Sequence, residues 1–204
     1  GWSPGSDREL FTRDELTSAF ALEGISGGNA VFNPDKLEWF NQQHMARLAP
    51  DDLARRLKPW FEAAGVWNDA FVGDRHAWFA AVLEVLKPRA RRLPDFADHG
   101  RYFFSDAIEY DPAAVAKYLR ADGITDQLTA LAAAFGALEP FDPSSLEATL
   151  RRTAEARGVK AAALIHATRV SITGKAVSPG LFDVLALIGR DRTLARMRAA
   201  VELA

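Results

Sequence analysis

The sequence contains no cysteine, which excludes disulfide bonds, thiolate nucleophiles and every metal site built on cysteine. It also lacks a long apolar run. The longest one, residues 77–83, has seven residues, whereas a membrane-spanning helix needs about 20. The first residues do not have the basic and apolar pattern of a signal peptide. We therefore expect a cytoplasmic protein without membrane association.

Apolar residues are abundant. Of the 204 residues 49% are hydrophobic, among them 13 Phe and 5 Trp. A chain of this length and composition can bury a substantial core, either as one domain or as two small ones. Intrinsic disorder is excluded, because disordered chains have too little apolar surface to offset the entropy of folding.

The charges are unevenly distributed along the chain. The formal net charge is −2, but residues 1–74 carry −5, residues 75–136 are neutral and residues 137–204 carry +3. Within the neutral part, four positive charges stand close together at Lys87, Arg89, Arg91 and Arg92. Two interpretations stay open for this basic cluster. It either complements the end of a helix and is solvated, or it contacts phosphates or bases, for which arginine is well suited.

Helical periodicity runs through nearly the whole chain, and no stretch alternates in the manner of a strand. The sequence therefore predicts an all-α fold of eight to eleven helices. Thr12 and Glu15 have the spacing of a capping box, and Asn33-Pro34 is typical of a helix start. Further starts are predicted at Asp95, Asp111-Pro112, Asp142-Pro143 and Asp191.

The usual signatures of catalysis are absent from the sequence. The four histidines are far apart, and no two of them have the i, i+4 spacing of paired metal ligands. Thr173-Gly174-Lys175 looks like the end of a phosphate-binding loop, but Arg169 replaces the glycine that such a loop needs upstream. Ser178-Pro179-Gly180 lacks the G-x-S-x-G pattern of a nucleophile elbow. We therefore expect neither a catalytic residue nor a metal site in this chain.

Longer runs of residues carry a family resemblance. The C-terminal run is LIHATRVSITGKAVSPGLFDVLALIGRDRTLARM, and the chain opens on GWSPGSDRELFTRDELTSAF and AVFNPDKLEWFNQQHM. LKPRARRLPDF and RYFF stand in order between them. Together these runs resemble the C-terminal part of bacterial-type class I glutamyl-tRNA synthetases, over essentially the whole chain.

This resemblance implies a domain organisation and a function. Residues 1–48 would be the end of the stem-contact region, and residues 49–105 and 106–204 would be two packed helical anticodon-binding subdomains. The chain would bind and discriminate the anticodon of tRNA-Glu, with no DNA and no membrane as partner. The catalytic domain, which uses ATP and Mg²⁺ to attach glutamate, carries HIGH and KMSKS signatures that do not occur here. The resemblance thus implies a fragment that is not catalytic by itself and holds no cofactor of its own.

The resemblance also implies site residues. Arg89 matches the arginine that reads the third anticodon base in enzymes that charge tRNA-Glu alone, although Arg91 or Arg92 could exchange roles with it. A second cluster, which holds the other anticodon bases, matches Arg169, Ser178, Pro179 and Leu181. On its helical spacing alone, Leu181 is more typical of a core residue.

An alternative function belongs to a different class. The chain could be a free-standing helical relative that acts as a tRNA-binding or protein-interaction module without a ligase domain. An intact SPGLF motif and the basic cluster favour the ligase fragment. The chain also begins inside a family motif and without methionine. This favours a fragment, either engineered or proteolytic.

Overall fold

A computed structural model describes residues 1–29 and 31–203. The chain divides into two compact units, an N-terminal unit, Gly1–Leu48, and a C-terminal unit, Ala49–Ala204. In the described part the regular structure is helical throughout, and extended backbone pairs only in an isolated bridge between Trp2 and Ile25. None of the described helices is both long and apolar enough to span a membrane. The predicted all-α fold is confirmed.

Eleven α-helices lie within the described residues. They are α1 Arg13–Ala19, α2 Pro34–Ala46, α3 Pro50–Ala63, α4 His76–Leu86, α5 Leu93–Phe104, α6 Pro112–Tyr118, α7 Ile124–Gly136, α8 Pro143–Ala156, α9 Ala161–Thr173, α10 Leu181–Ile188 and α11 Arg190–Leu203. Short 3₁₀ turns lie at Leu22–Gly24, Asp69–Val72 and Lys87–Arg89.

Polar side chains cap the starts of four helices, as the sequence predicts. Thr12 accepts from the backbone N–H of Glu15 at 3.2 Å, and the Glu15 carboxylate accepts from the Thr12 N–H at 2.8 Å. Asn33, Asp111 and Asp142 each cap a helix whose first residue is proline. These side chains satisfy N–H groups that have no partner within the helix.

The helix start predicted at Asp95 lies two residues too late. Asp95 was expected to begin a helix, but α5 begins at Leu93, and Arg92 is its cap residue. The Asp95 carboxylate lies in the first turn and accepts from the backbone N–H groups of Arg91 and Arg92 at 2.8 and 3.0 Å. An acidic residue suits the cap and the third helical position equally well, so its type alone does not fix the boundary.

The N-terminal unit has almost no core. Among its described residues Met45 is the single buried side chain. Eight of its larger apolar side chains are exposed: Leu16, Phe20, Leu22, Ile25, Val31, Phe32, Leu37 and Trp39. Its described interactions include helix caps, surface ion pairs and ring contacts, and exposed ion pairs stabilise only weakly.

The C-terminal unit has an extensive core. Helices α3 to α5 close around an aromatic cluster in which Phe61, Phe71, Phe79 and Phe104 lie in mutual ring contact. Helices α7 to α11 bury the predicted stripes, Ile124, Leu128, Leu131 and Phe135 on α7 and Leu146 and Leu150 on α8. The two sets of helices join where α4 packs on α10.

Two arginines of α11, the buried Arg196 and the half-buried Arg192, cap the end of α5. Arg196 donates from Nη2 to the carbonyls of Tyr102 and Ser105, each at 2.8 Å, and from Nη1 to that of Ile172 on α9 at 3.1 Å. Arg192 donates to the carbonyls of Phe103 and Ser105. The last carbonyls of a helix lack partners and carry partial negative charge, so cations are favourable there. These bonds fix the position of α5 relative to α9.

Candidate nucleic-acid interface

Arg89 is exposed at the end of the 3₁₀ turn that follows α4. Its side chain makes no hydrogen bond or ion pair with any residue that the structure describes. An arginine cannot lose its charge near neutral pH, and its guanidinium has five N–H donors. Arg89 therefore presents a full set of donors to solvent or to a ligand.

The other three cations of the basic cluster contribute to the local structure. Lys87 is buried, and its ammonium lies 2.6 Å from the carboxylate of Glu84. Arg91 and Arg92 offer their backbone N–H groups to Asp95, and Arg92 Nε lies 3.8 Å from the same carboxylate. The four charges are thus not equivalent, since Arg89 is the one whose side chain bonds none of the residues that the structure describes.

Arg169, on α9, is half-buried and uses one end of its guanidinium to hold the loop before α10. Its Nη1 donates to Ser178 Oγ at 2.5 Å and to the carbonyl of Pro179 at 2.9 Å. Every recorded hydrogen bond of this side chain comes from Nη1. Within the described part of the chain, Nε and Nη2 donate to no acceptor and stay available to a ligand.

The structure brings Arg89 and Arg169 together, although they are far apart in sequence. Burial lowers the pKa of Arg169, and the nearby charge of Arg89 lowers it further. Two neighbouring like charges destabilise each other unless an acceptor lies near both. The pair is therefore suited to bind a ligand that presents acceptors or negative charge.

The other residues predicted for the second cluster are buried. Ser178 is 6% exposed and Leu181 3% exposed, and Pro179 is buried between them. Leu181 is the first residue of α10 and packs with the core residues Val184 and Leu185 on the same helix. In this structure these three residues shape the loop that Arg169 holds, and contact with a base stays a prediction for them.

Gly174 allows the turn between α9 and this loop. Its φ is +73°, which is the left-handed region, and an added Cβ would lie 2.2 Å from the carbonyl oxygen of Glu109. Thr173 supports the same turn, since its hydroxyl donates to the carbonyl of Arg169 at 2.9 Å and accepts from the N–H of Lys175 at 3.2 Å. The turn thus closes against the segment before α6.

Two residues near this surface have no signal in the sequence. Val177 precedes the buried loop residues and is 73% exposed, which is unusual for a valine. Tyr102, on α5, is only 7% exposed, and its hydroxyl has no hydrogen-bond partner. Burial raises the pKa of Tyr102, while the charges of Arg89 and then Arg169 act to lower it. From the sequence, the position of Tyr102 on an apolar helix face predicts a core residue and no role in binding.

The chemistry available here is that of binding. Arginine supplies donors and positive charge but no acceptor, which suits nucleobase oxygens, ring nitrogens and phosphates. Within residues 1–29 and 31–203 no three metal-ligating side chains come together. The surface is therefore built to hold an acceptor-rich ligand, and its described residues offer no cluster for a metal ion.

Comparisons with known proteins agree on the type of domain. Residues 52–201 match the model of a family described as "Anticodon binding domain". Over 204 residues the chain is 38% identical to "Glutamate--tRNA ligase 2" of Koribacter versatilis, covering 100% of this chain and 42% of that protein. It is 37% identical to "Glutamate--tRNA ligase" of Anaeromyxobacter sp. (strain K), with 100% and 41% covered.

A solved structure shows the same fold. The crystal structure of a glutamate tRNA ligase from Elizabethkingia meningosepticum superposes with a TM-score of 0.86 at 24% identity, covering 99% of this chain and 39% of that one. The chain thus spans about two fifths of the length of the proteins it matches.

Proposed function

Since the chain belongs to the anticodon binding domain family, we propose that it binds the anticodon of tRNA-Glu as the C-terminal part of a glutamate–tRNA ligase. The complete enzyme would attach glutamate to tRNA-Glu with ATP and Mg²⁺ in the cytoplasm. The residues for that reaction would belong to an N-terminal catalytic domain outside this chain. One observation carries the proposal: the exposed, unpaired Arg89 lies near Arg169, whose Nε and Nη2 are unused.

Arg89 reads the third anticodon base in this proposal. Glutamate anticodons end in cytosine, whose Watson–Crick edge offers two acceptors, O2 and N3. Glutamine anticodons end in guanine, whose edge offers N–H donors at N1 and N2. A guanidinium has only donors, so it pairs with cytosine and opposes guanine. By analogy with base readout in DNA, such a contact discriminates by about 1–3 kcal/mol.

The surroundings of the basic cluster favour Arg89 over its neighbours for this role. The backbone N–H groups of Arg91 and Arg92 bond the Asp95 carboxylate, and Arg92 Nε lies 3.8 Å from it, so both residues contribute to the start of α5. Arg89 makes no such contribution, and its charge acts directly on Arg169. We therefore assign the third base to Arg89.

The second cluster acts in this proposal mainly through Arg169. Ser178 and Pro179 hold its Nη1, which leaves its other donors for the remaining anticodon bases. Leu181 anchors the loop in the core, and Pro179 and Leu181 would contact unstacked bases only at the edge of that loop. The proposed subdomains, residues 49–105 and 106–204, then supply one arginine each, and residues 1–48 form the end of the stem-contact region.

The experiment is a low-salt titration with two RNA hairpins that carry the anticodon loop and differ only in the third anticodon base, cytosine or guanine. We expect preference for cytosine, and about a 10- to 100-fold loss of that preference in Arg89→Gln. Arg55→Gln is the matched control, because it removes the same charge from a surface ion pair with Asp52 on α3. It should leave the preference intact.

Two outcomes would contradict different parts of the proposal. Equal binding of both hairpins would keep the RNA-binding module but reject discrimination by Arg89. Absence of binding even at low salt would reject the module and favour a protein-interaction domain. In the complete enzyme, Arg89→Gln should increase the charging of tRNA-Gln, and unchanged selectivity there would reject the assignment of Arg89.

A further inference from the structure

The hydroxyl of Tyr102 is buried without a hydrogen-bond partner in the described part of the protein. A buried hydroxyl that lacks a partner destabilises a fold, because it has lost its water and gained nothing in exchange. Such groups are rare in native proteins and call for an explanation. Phenylalanine would fill the same space without this disadvantage.

Tyr110 provides a comparison within the same region. It is also partly buried, and its hydroxyl donates to the carbonyl of Ser171 on α9 at 3.2 Å. The fold thus satisfies one tyrosine hydroxyl beside α9 and leaves the other unsatisfied. Tyr110 has an evident structural use for its hydroxyl, whereas Tyr102 has none in the structure as it stands.

The backbone around Tyr102 is held tightly. Its carbonyl accepts from Arg196, and the same guanidinium bonds Ile172 on α9, the helix that carries Arg169. The ring of Tyr102 also lies against Phe103, with centroids 4.6 Å apart. The bond to the carbonyl and the ring contact hold Tyr102 and this part of α5 in place, and the charges of Arg89 and Arg169 both act on the hydroxyl.

The space beside Tyr102 is too small for a base. It lines a cavity of about 30 Å³ together with Thr173, Lys175 and Glu109. This volume suits a single water-sized group, and the hydroxyl itself is shielded from solvent. Any contribution of this hydroxyl to binding must therefore act through a neighbouring side chain.

We propose that Tyr102 is a positioning residue whose hydroxyl oxygen accepts an N–H of Arg89 when an anticodon base occupies the interface. The inference rests on the proposed function. A neutral phenol oxygen can accept from a cation, and Arg89 has five donors and no other protein partner in the described structure. The bond orders a long exposed side chain, so that the remaining donors face the base.

The test compares Tyr102→Phe with Tyr110→Phe in the full 204-residue chain. Tyr102→Phe should melt at the same temperature as the parent chain or higher, yet bind the cytosine hairpin about three- to ten-fold more weakly, the effect of one neutral hydrogen bond. Tyr110→Phe should show the reverse pattern, with a lower melting temperature and unchanged binding. A merely structural role for the Tyr102 hydroxyl predicts no loss of affinity.

A double-mutant cycle tests whether Tyr102 acts through Arg89. In the Arg89→Gln background, Tyr102→Phe should cost less than about two-fold in affinity, because the partner of the hydroxyl has already gone. A loss as large as in the parent background would overturn the inference, as would full affinity of the single variant or a melting temperature below that of Tyr110→Phe. If the parent chain discriminates between the hairpins, these results leave the proposed function intact. Absence of binding by the parent chain would overturn both.

Discussion

Arg169 and Ser178 are joined by a hydrogen bond of 2.5 Å between Nη1 and Oγ, which ties α9 to the loop before α10. The same guanidinium keeps Nε and Nη2 unused among the described residues. One side chain thus holds the loop with one end and faces outward with the other. Lysine cannot do both, because its donors converge on a single nitrogen.

Replacement of Arg169 by alanine should weaken RNA binding and flatten its dependence on salt. Each lost phosphate contact reduces the slope of log affinity against log salt by about one unit. The measurement is a titration of the anticodon hairpin at several salt concentrations. Ser178→Ala is the control, since it removes the loop bond and keeps the charge, so its salt slope should match that of the parent. An unchanged slope in Arg169→Ala would reject a role near phosphate.

Replacement of Gly174 by alanine should destabilise the protein more than the same change at Gly123. Both glycines have a φ of +73°, so both variants lose roughly 1 kcal/mol to left-handed backbone strain. An alanine at position 123 meets no atom within 4 Å, whereas at position 174 it would lie 2.2 Å from the Glu109 carbonyl. We expect a further ~1–3 kcal/mol from this overlap. Denaturant unfolding of both variants measures the difference, and equal losses would show that the turn adjusts freely.

Replacement of Arg196 by methionine should lower the free energy of unfolding by about 3 kcal/mol, because the buried carbonyls of Tyr102 and Ile172 lose their side-chain donor and Ser105 keeps only Arg192. Burial already lowers the pKa of Arg196 to about 10, which reflects how far it is withdrawn from water. Arg198→Met is the control on the exposed side of the same helix. Thermal and denaturant unfolding compare the two. A similar, small loss in both would contradict a capping role for Arg196.

The carboxyl of Glu15 should titrate with a pKa of about 2 instead of 4.5. The hydrogen bond from Arg8 is the largest cause, followed by those from Thr12. Because folding lowers this pKa, the ionised carboxylate stabilises α1 fully above pH 4.5, and this stabilisation is lost as the pH falls through about 2. A carboxyl NMR titration measures it. Arg8→Ala should move the pKa towards 4.5, and an unmoved value would mean that the ion pair does not form in solution.

The sequence predicts local structure well here because its signals are local. Thr12, Asn33, Asp111 and Asp142 cap helices within three residues of themselves, so no knowledge of the fold is needed to find them. Asp95 shows the limit, since an acidic residue fits two positions at a helix start. The family resemblance is confirmed by the match of residues 52–201.

The interface is harder to predict because it depends on contacts between distant segments. The resemblance supplies Arg89 and Arg169 as candidates, but their proximity depends on distant contacts, such as the packing of α4 on α10 and the bonds from Arg196 to α5 and α9. The sequence does not predict a role for Tyr102, because its neighbours indicate a core residue. That its hydroxyl lacks a hydrogen-bond partner among the described residues can be seen only in the structure. Leu181 is the opposite case, because its helical spacing predicts a core residue and its side chain is buried.

Met45 is the single buried side chain among the described residues of the N-terminal unit, and this affects how the chain behaves in solution. With so little apolar surface withdrawn from water, segments of Gly1–Leu48 should open at a small fraction of the free energy that unfolds Ala49–Ala204. Their backbone amides should exchange with deuterium long before those of α7 and α9. A protease at low concentration should cut first among these residues and leave the helices that carry Arg89 and Arg169 as the resistant product.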